Sequence, residues 1–191
     1  MAAVVAMASL TACGGSASTE TTAADAKAET SAEAGESSAE AGIAEGGTLK
    51  IGVIGPLTGA AASYGIAVQN GADLAVKEIN EAGGINGMKV ELKAEDDEND
   101  PEKSVNAYNT LKDWGMQMLV GTTTSKPCIA VGAESASDNM FQITPSGSAV
   151  ECVSNPNVFR VCFADPDQGT ASAQYIGEHQ LATKVAIIYD S

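Results

Sequence analysis

The chain has 191 residues, with 25 Asp and Glu against 10 Lys and Arg, one histidine and a net charge of -15. That balance excludes a nucleic-acid partner, because phosphates are held by clustered Lys and Arg; acidity of this degree serves solubility and names no partner. The charge is uneven, since Gly14 to Gly47 holds seven acids (Glu20, Asp25, Glu29, Glu33, Glu36, Glu40, Glu45) against Lys27 alone, leaving -9 for the rest.

Met1 to Ala12 is small and apolar and closes on Leu10-Thr11-Ala12-Cys13-Gly14. This looks like a bacterial lipobox: residues 1–12 read as a lipoprotein signal peptide, cut before Cys13, whose thiol takes a diacylglyceryl group that tethers the protein to the outer face of a membrane. The run is short and no Lys or Arg precedes it, which places the true start upstream. Residues 13–47, built almost wholly from Ala, Ser, Thr, Glu and Gly, cannot bury enough apolar area to offset their ordering entropy and read as a disordered spacer.

The apolar pattern then changes period repeatedly, as in alternating strands and helices. Leu49 to Ile54 is a nearly continuous apolar run, suited to a central parallel strand covered on both faces, and it breaks into the turn Gly55-Pro56-Leu57-Thr58-Gly59. From Tyr64 to Ala82 polar residues recur at helical spacing and turn Val68, Ala72, Ala75, Val76 and Ile79 toward the sheet; Gly83-Gly84 ends the helix. Lys89 to Glu95 alternates, with Val90, Leu92 and Ala94 on one face, which marks an edge strand. It runs into Asp96-Asp97-Glu98-Asn99-Asp100-Pro101, where Asp100 is the N-cap and Pro101 the first residue of a helix reaching Trp114 and stopped by Gly115. Met116 to Val120 is the third strand, Ser125 to Asp138 a helix and Phe141 to Thr144 the fourth strand. Val158 to Phe163 is the fifth strand, Gln168 to Leu181 a helix and Lys184 to Tyr189 a further strand. No internal repeat and no spanning helix follow Cys13. The expected fold is α/β, a doubly wound parallel sheet with right-handed crossovers, which binds ligands beyond the carboxyl ends of its strands.

Leu49 to Gly59, Asn80 to Gly87 and Asp96 to Pro101, in this order and spacing, resemble the extracytoplasmic solute-binding proteins of branched-chain amino-acid ABC importers, the leucine/isoleucine/valine-binding family with the type I periplasmic-binding fold. The resemblance covers about residues 48 to 191. It implies two lobes joined by a hinge, with 48–163 most of lobe one, 164–191 the beginning of lobe two and the remainder of both lobes beyond Ser191. It implies an amino acid as ligand, an ABC permease and ATPase complex as partner, no cofactor, no catalysis and an extracytoplasmic location, to which the lipobox at Cys13 adds the lipid anchor.

Gly121-Thr122-Thr123-Thr124-Ser125-Lys126-Pro127 follows a strand and opens a helix, so its hydroxyls and amides, at the positive end of the helix dipole, suit an anion such as an α-carboxylate. By the resemblance Ser125 falls on the carboxylate-binding serine. The stretch Thr144 to Ala149 falls on the second ligand loop, with Ser146 at a backbone-contact position and Ser148 supplying a hydroxyl to the ligand ammonium, where relatives often carry Thr. Tyr64 matches an aromatic lining the apolar side of the ligand. The alternatives from local chemistry alone are helix capping for Thr124 and Ser125, an ordinary Ser/Gly turn at 146–148 and a packing staple at Tyr64. A family disulfide between the loops after strands two and three would fall on Asn99 and Thr124, so that staple is absent here. Asp165 borders the cleft or caps a helix.

Other chemistries fit less well. The Gly52 to Gly59 stretch has the wrong spacing for a dinucleotide loop, and Pro56 removes an amide. His179 lies in a helix beside Glu178 with no nearby nucleophile, so it reads as a surface residue. Asp96 to Asp100 resembles a calcium loop only in acidity, lacking the glycine and glutamate that such a loop needs. Cys128, Cys152 and Cys162 show no metal-ligand spacing; a disulfide between two of them and free buried thiols both stay open. A sensor domain of the same fold, or a binder of amides, urea or aromatic acids, is the alternative function.

Overall fold

The structure is a computed structural model that describes residues 47–188. The signal peptide, Cys13, the spacer as far as residue 46, and Tyr189 lie outside the described residues. Five strands form one parallel sheet in the order β2-β1-β3-β4-β5: β1 (Thr48–Gly55), β2 (Lys89–Asp96), β3 (Met118–Val120), β4 (Gln142–Thr144) and β5 (Val158–Arg160). Between them run α1 (Ala62–Glu81), α2 (Pro101–Trp114) and α3 (Ser125–Ser137), a short 3-10 turn (Val150–Val153) joins β4 to β5, and α4 (Asp165–Glu178) follows β5.

β1 lies between β2 and β3, and its carboxyl half, Gly52 to Gly55, is buried, as the continuous apolar run requires. β2 is the edge strand, paired along its whole length with β1. The chain therefore starts at β1, moves outward to β2 and returns past β1 to β3. That reversal makes the carboxyl ends of β1 and β3 the switch point of the sheet, the usual place for a ligand in open α/β sheets.

The ends of α2 follow from sequence. The Asp100 carboxylate accepts from the Glu102 and Lys103 amides, each at 2.9 Å, Pro101 opens the helix, and Gly115 closes it at φ 89°, a conformation costly for any residue with a Cβ. Tyr108 and Leu111 of α2 pack with Ile54, Leu119 and Val131 in the main core. The Tyr108 hydroxyl donates to Asp138 Oδ2 at 2.8 Å, where Lys112 also pairs, fixing α2 to the end of α3.

Four expectations are corrected. Residues 184–188 form no strand: Val185, Ile187 and Ile188 are exposed, and no described strand lies alongside to satisfy their backbone groups. The last helix begins at Asp165 and ends at Glu178, with Ala164 as N-cap, so Asp165 is its first residue and caps nothing. β5 stops at Arg160, short of Phe163, because only Val158 to Arg160 pair with β4. In α1, Val68, Ala72, Val76 and Ile79 are half-buried, but Ala75 is exposed, and Gly65 is the one buried residue of that helix.

Candidate ligand site at the carboxyl edge of the sheet

The strands end in loops at this edge of the sheet, and the loops are bonded to one another. Asp96, the last residue of β2, accepts from the Leu57 amide at 2.8 Å and the Thr58 hydroxyl at 2.6 Å, so the turn after β1 hangs on the end of β2. Burial opposes ionisation of Asp96, but the Thr58 hydroxyl and the amides of Glu98, Leu57 and Thr58 outweigh it and hold the carboxyl below its ordinary range. Asn99 Oδ1 accepts from the Thr124 hydroxyl at 2.7 Å. These are the two positions where the resemblance puts a disulfide, and a hydrogen bond joins them here. Thr144 Oγ donates to the Thr122 carbonyl at 2.7 Å and accepts from the Gly147 amide at 2.9 Å, which ties the loop after β3 to the loop after β4.

Within that frame the hydroxyls of the β3–α3 loop take different roles. Thr122 and Thr123 are fully buried, and their hydroxyls face backbone carbonyls of Thr124 and Ile54. Thr124 is committed to Asn99. Of the hydroxyls expected to meet an anion, that of Ser125 alone remains, half-buried at the first position of α3, accepting from the Ala149 amide at 3.2 Å. No side chain caps this helix, so its first-turn amides are not satisfied in the way simple capping would require. Pro127 contributes no amide to that turn.

The loop after β4 runs beside Ser125. The Ser148 carbonyl is occupied, accepting from Arg160 Nη1 at 3.1 Å and the Asp165 amide at 3.0 Å, while Arg160 also donates to the Ala149 carbonyl. The Ser146 and Ser148 side chains are half-buried, and neither hydroxyl has a hydrogen-bond partner among the described residues. Tyr64 lies in the first turn of α1 and is 60% exposed, which speaks against the packing-staple reading. The structure thus joins Ser125 to the 146–149 loop through one hydrogen bond and sets Tyr64 at the same end of the sheet without bonding it to either.

A cavity of about 480 Å³ lies elsewhere, between α4 and residues 185–187, lined by Gly169, Ser172, Ala173, Ile176, Val185 and Ile187. None of the four expected residues borders it. His179, at the end of α4, is exposed with its ring 4.2 Å from that of Tyr175.

Asp96 as an organiser, the Asn99–Thr124 bond and the Arg160 clamp were not singled out from sequence. Only an acid at a strand end facing a Gly/Pro turn hinted at the first. Asp97 is the other surprise. It is fully buried; Oδ1 accepts from the Asn99 amide at 2.8 Å and Oδ2 has no partner. Burial pushes its carboxyl from the ordinary 3.8 to about 6, against the Asn99 amide and with help from the charges of Asp96 and Asp100. Between about pH 4 and 6 the folded chain therefore holds a proton that the unfolded chain has released. Stability falls as pH rises through that window, by roughly 2–3 kcal/mol, and returns as pH falls. Asp96 and Asp138, held below their ordinary range, act only at lower pH. Thermal melts should show Tm rising from pH 7 to pH 5, with the rise missing in Asp97→Asn; the same rise in both proteins would detach the effect from Asp97.

A parallel sheet of order 2-1-3-4-5 with interlocked loops at its switch point is an α/β lobe of the doubly wound class. The family model described as periplasmic binding protein matches residues 48–191, and the chain belongs to that family. It is 37% identical over 144 residues to the Leu/Ile/Val-binding protein homolog 3 of Brucella melitensis, covering 74% of this chain and 39% of that protein. It is 38% identical over 144 residues to the Leu/Ile/Val-binding protein BraC3 of Rhizobium johnstonii, with the same shares of 74% and 39%. Among solved structures, the branched-chain amino acid transporter substrate-binding protein LivJ of Streptococcus pneumoniae in complex with isoleucine superposes with a TM-score of 0.65 at 32% identity. That match covers 69% of this chain and 38% of LivJ. The chain thus spans about two fifths of the length of the curated relatives it matches.

Proposed function

We propose that this chain is the first part of an extracytoplasmic solute-binding lipoprotein that delivers a branched-chain or related amino acid to an ABC permease and ATPase complex. The observation that carries the reading is the uncapped first turn of α3, with the Ser125 hydroxyl beside it and the 146–149 loop bonded across to it. An α-carboxylate meets amide donors, a hydroxyl and the positive helix end there. Ser146 and Ser148 offer acceptors for an ammonium, and Tyr64 an aromatic wall for the aliphatic side chain. Relatives named for leucine, isoleucine and valine support this choice of ligand.

Residues 164–191 begin a second lobe in this reading. That α4 buries no residue, and that Val185, Ile187 and Ile188 are exposed, supports it. Binding then closes two lobes on one ligand, each satisfying groups that the other leaves open.

Thermal-shift screening of the full-length protein tests the ligand class, since a ligand held by the folded state alone raises Tm in proportion to the logarithm of its concentration over Kd. Leucine, isoleucine or valine should raise Tm, with urea, short amides and benzoates as the competing set. A shift with amides or aromatic acids and none with aliphatic amino acids would replace the proposed ligand.

Cys13 is the lipid attachment site in the same reading. The full-length precursor expressed in a bacterium should partition with membranes, and Cys13→Ala should release it into the soluble fraction. Equal partitioning of the two forms would remove the anchor.

A further inference from the structure

Cys128 in α3 and Cys152 in the 3-10 turn after β4 are both fully buried thiols, and with Val158 they form a small core of their own beneath the ligand loops. Cys128 Sγ lies 3.9 Å from the Cys152 carbonyl, and Cys152 Sγ lies 3.7 Å from the Ser125 carbonyl. Cys128 is also contacted by Gln142 Nε2 at 3.6 Å. The shared cluster and these two contacts set the thiols side by side, and burial, then the neighbouring Cys152 thiol, push the Cys128 thiol well above its ordinary range. The third cysteine, Cys162, is half-exposed beyond β5 and outside this cluster. Two cysteines from different elements, adjacent, buried and about 25 residues apart, are the arrangement in which a cross-link removes much unfolded-chain freedom.

We propose that Cys128 and Cys152 are a dithiol–disulfide couple that, when oxidised, straps α3 to the turn following β4 and so fixes the two loops carrying Ser125 and Ser148. The extracytoplasmic location under Proposed function supplies the oxidising setting; the pairing itself depends only on the geometry. A thiolate from one cysteine attacks a disulfide of small-molecule or oxidoreductase type, releasing one thiol of that oxidant. The second cysteine thiolate then displaces the other half from the mixed disulfide. Two cysteine protons and two electrons leave the protein, one S–S bond forms in it, and the oxidant is reduced to two thiols. Because both thiols are buried and Cys128 resists ionisation, exchange belongs to folding or to local opening of the 3-10 turn, and the closed bond is shielded from reductants.

The test uses the full chain, refolded in oxidised or reduced glutathione, alkylated under denaturing conditions and digested with trypsin and Asp-N. These cut before Asp138 and after Arg160 and so separate all three cysteines. The expected result after oxidation is one cross-linked pair holding Cys128 and Cys152, with Cys162 alkylated. Three alkylated cysteines, or a cross-link that includes Cys162, would overturn the pairing. Reduction of the oxidised protein should lower Tm by roughly 10 °C, and Cys128→Ala and Cys152→Ala should show no redox dependence. Redox dependence that persists in both variants would equally overturn it. Mapping of the unsubstituted chain decides the question even if a variant fails to fold, and neither readout requires that an amino acid bind.

Discussion

Ser125→Ala in the full-length protein is expected to weaken amino-acid binding by tenfold or more, because one hydrogen bond to a charged carboxylate is worth about 1.5–3 kcal/mol. Ser148→Ala should weaken it to a similar degree. The two variants separate ligand contact from loop maintenance. The Ser125 hydroxyl also accepts from the Ala149 amide, so its loss costs some stability as well as affinity. The Ser148 hydroxyl has no partner among the described residues, so its loss should leave Tm within a degree or two and act on affinity alone. Calorimetric titration with isoleucine, paired with a melt of each variant, reads both quantities. Unchanged affinity in both would remove these serines from the site.

Gly65→Ala is expected to be among the most damaging single-methyl changes in the chain. A Cβ at position 65 would stand 2.0 Å from the Pro56 carbonyl oxygen and 2.6 Å from its carbon, both backbone atoms that cannot rotate aside. The first turn of α1 would be levered off the β1 turn that Asp96 holds, at a cost of about 3 kcal/mol and roughly 10 °C in Tm. Gly71→Ala, in the same helix, is the internal control. Nothing lies within 4 Å of its Cβ, and the exchange should stabilise by about 0.5–1 kcal/mol through helix propensity. Equal melts for the two variants would show that α1 does not rest on Pro56 as described.

What could be read from sequence was whatever depends on local rules. Asp100, Pro101 and Gly115 set the limits of α2 because capping, a fixed φ and a left-handed C-cap are properties of single residues. The continuous and alternating runs of β1 and β2 gave their central and edge positions because burial on two faces or one imprints a different period. The sequence around Lys184 to Ile188 carries the same apolar signal as a strand, yet a strand also needs a neighbour, and none of the described strands lies beside it. The site followed the same division. Ser125 at a helix start was legible, but which of four adjacent hydroxyls keeps its proton uncommitted was not. That choice depends on Ile54, Asn99 and the Thr124 carbonyl meeting Thr123, Thr124 and Thr122 in three dimensions. The unpartnered Asp97 oxygen is equally a product of packing, and nothing in an acidic run says which carboxylate is turned inward.

The most direct measurement is the crystal structure of the full-length protein with isoleucine bound. The carboxylate of the ligand should lie within hydrogen-bond distance of Ser125 Oγ and the first-turn amides of α3. Its ammonium should lie beside the 146–148 loop and its side chain against Tyr64. An isoleucine bound away from the carboxyl ends of β1, β3 and β4, or a site at those loops from which Ser125 is turned away, would contradict this account.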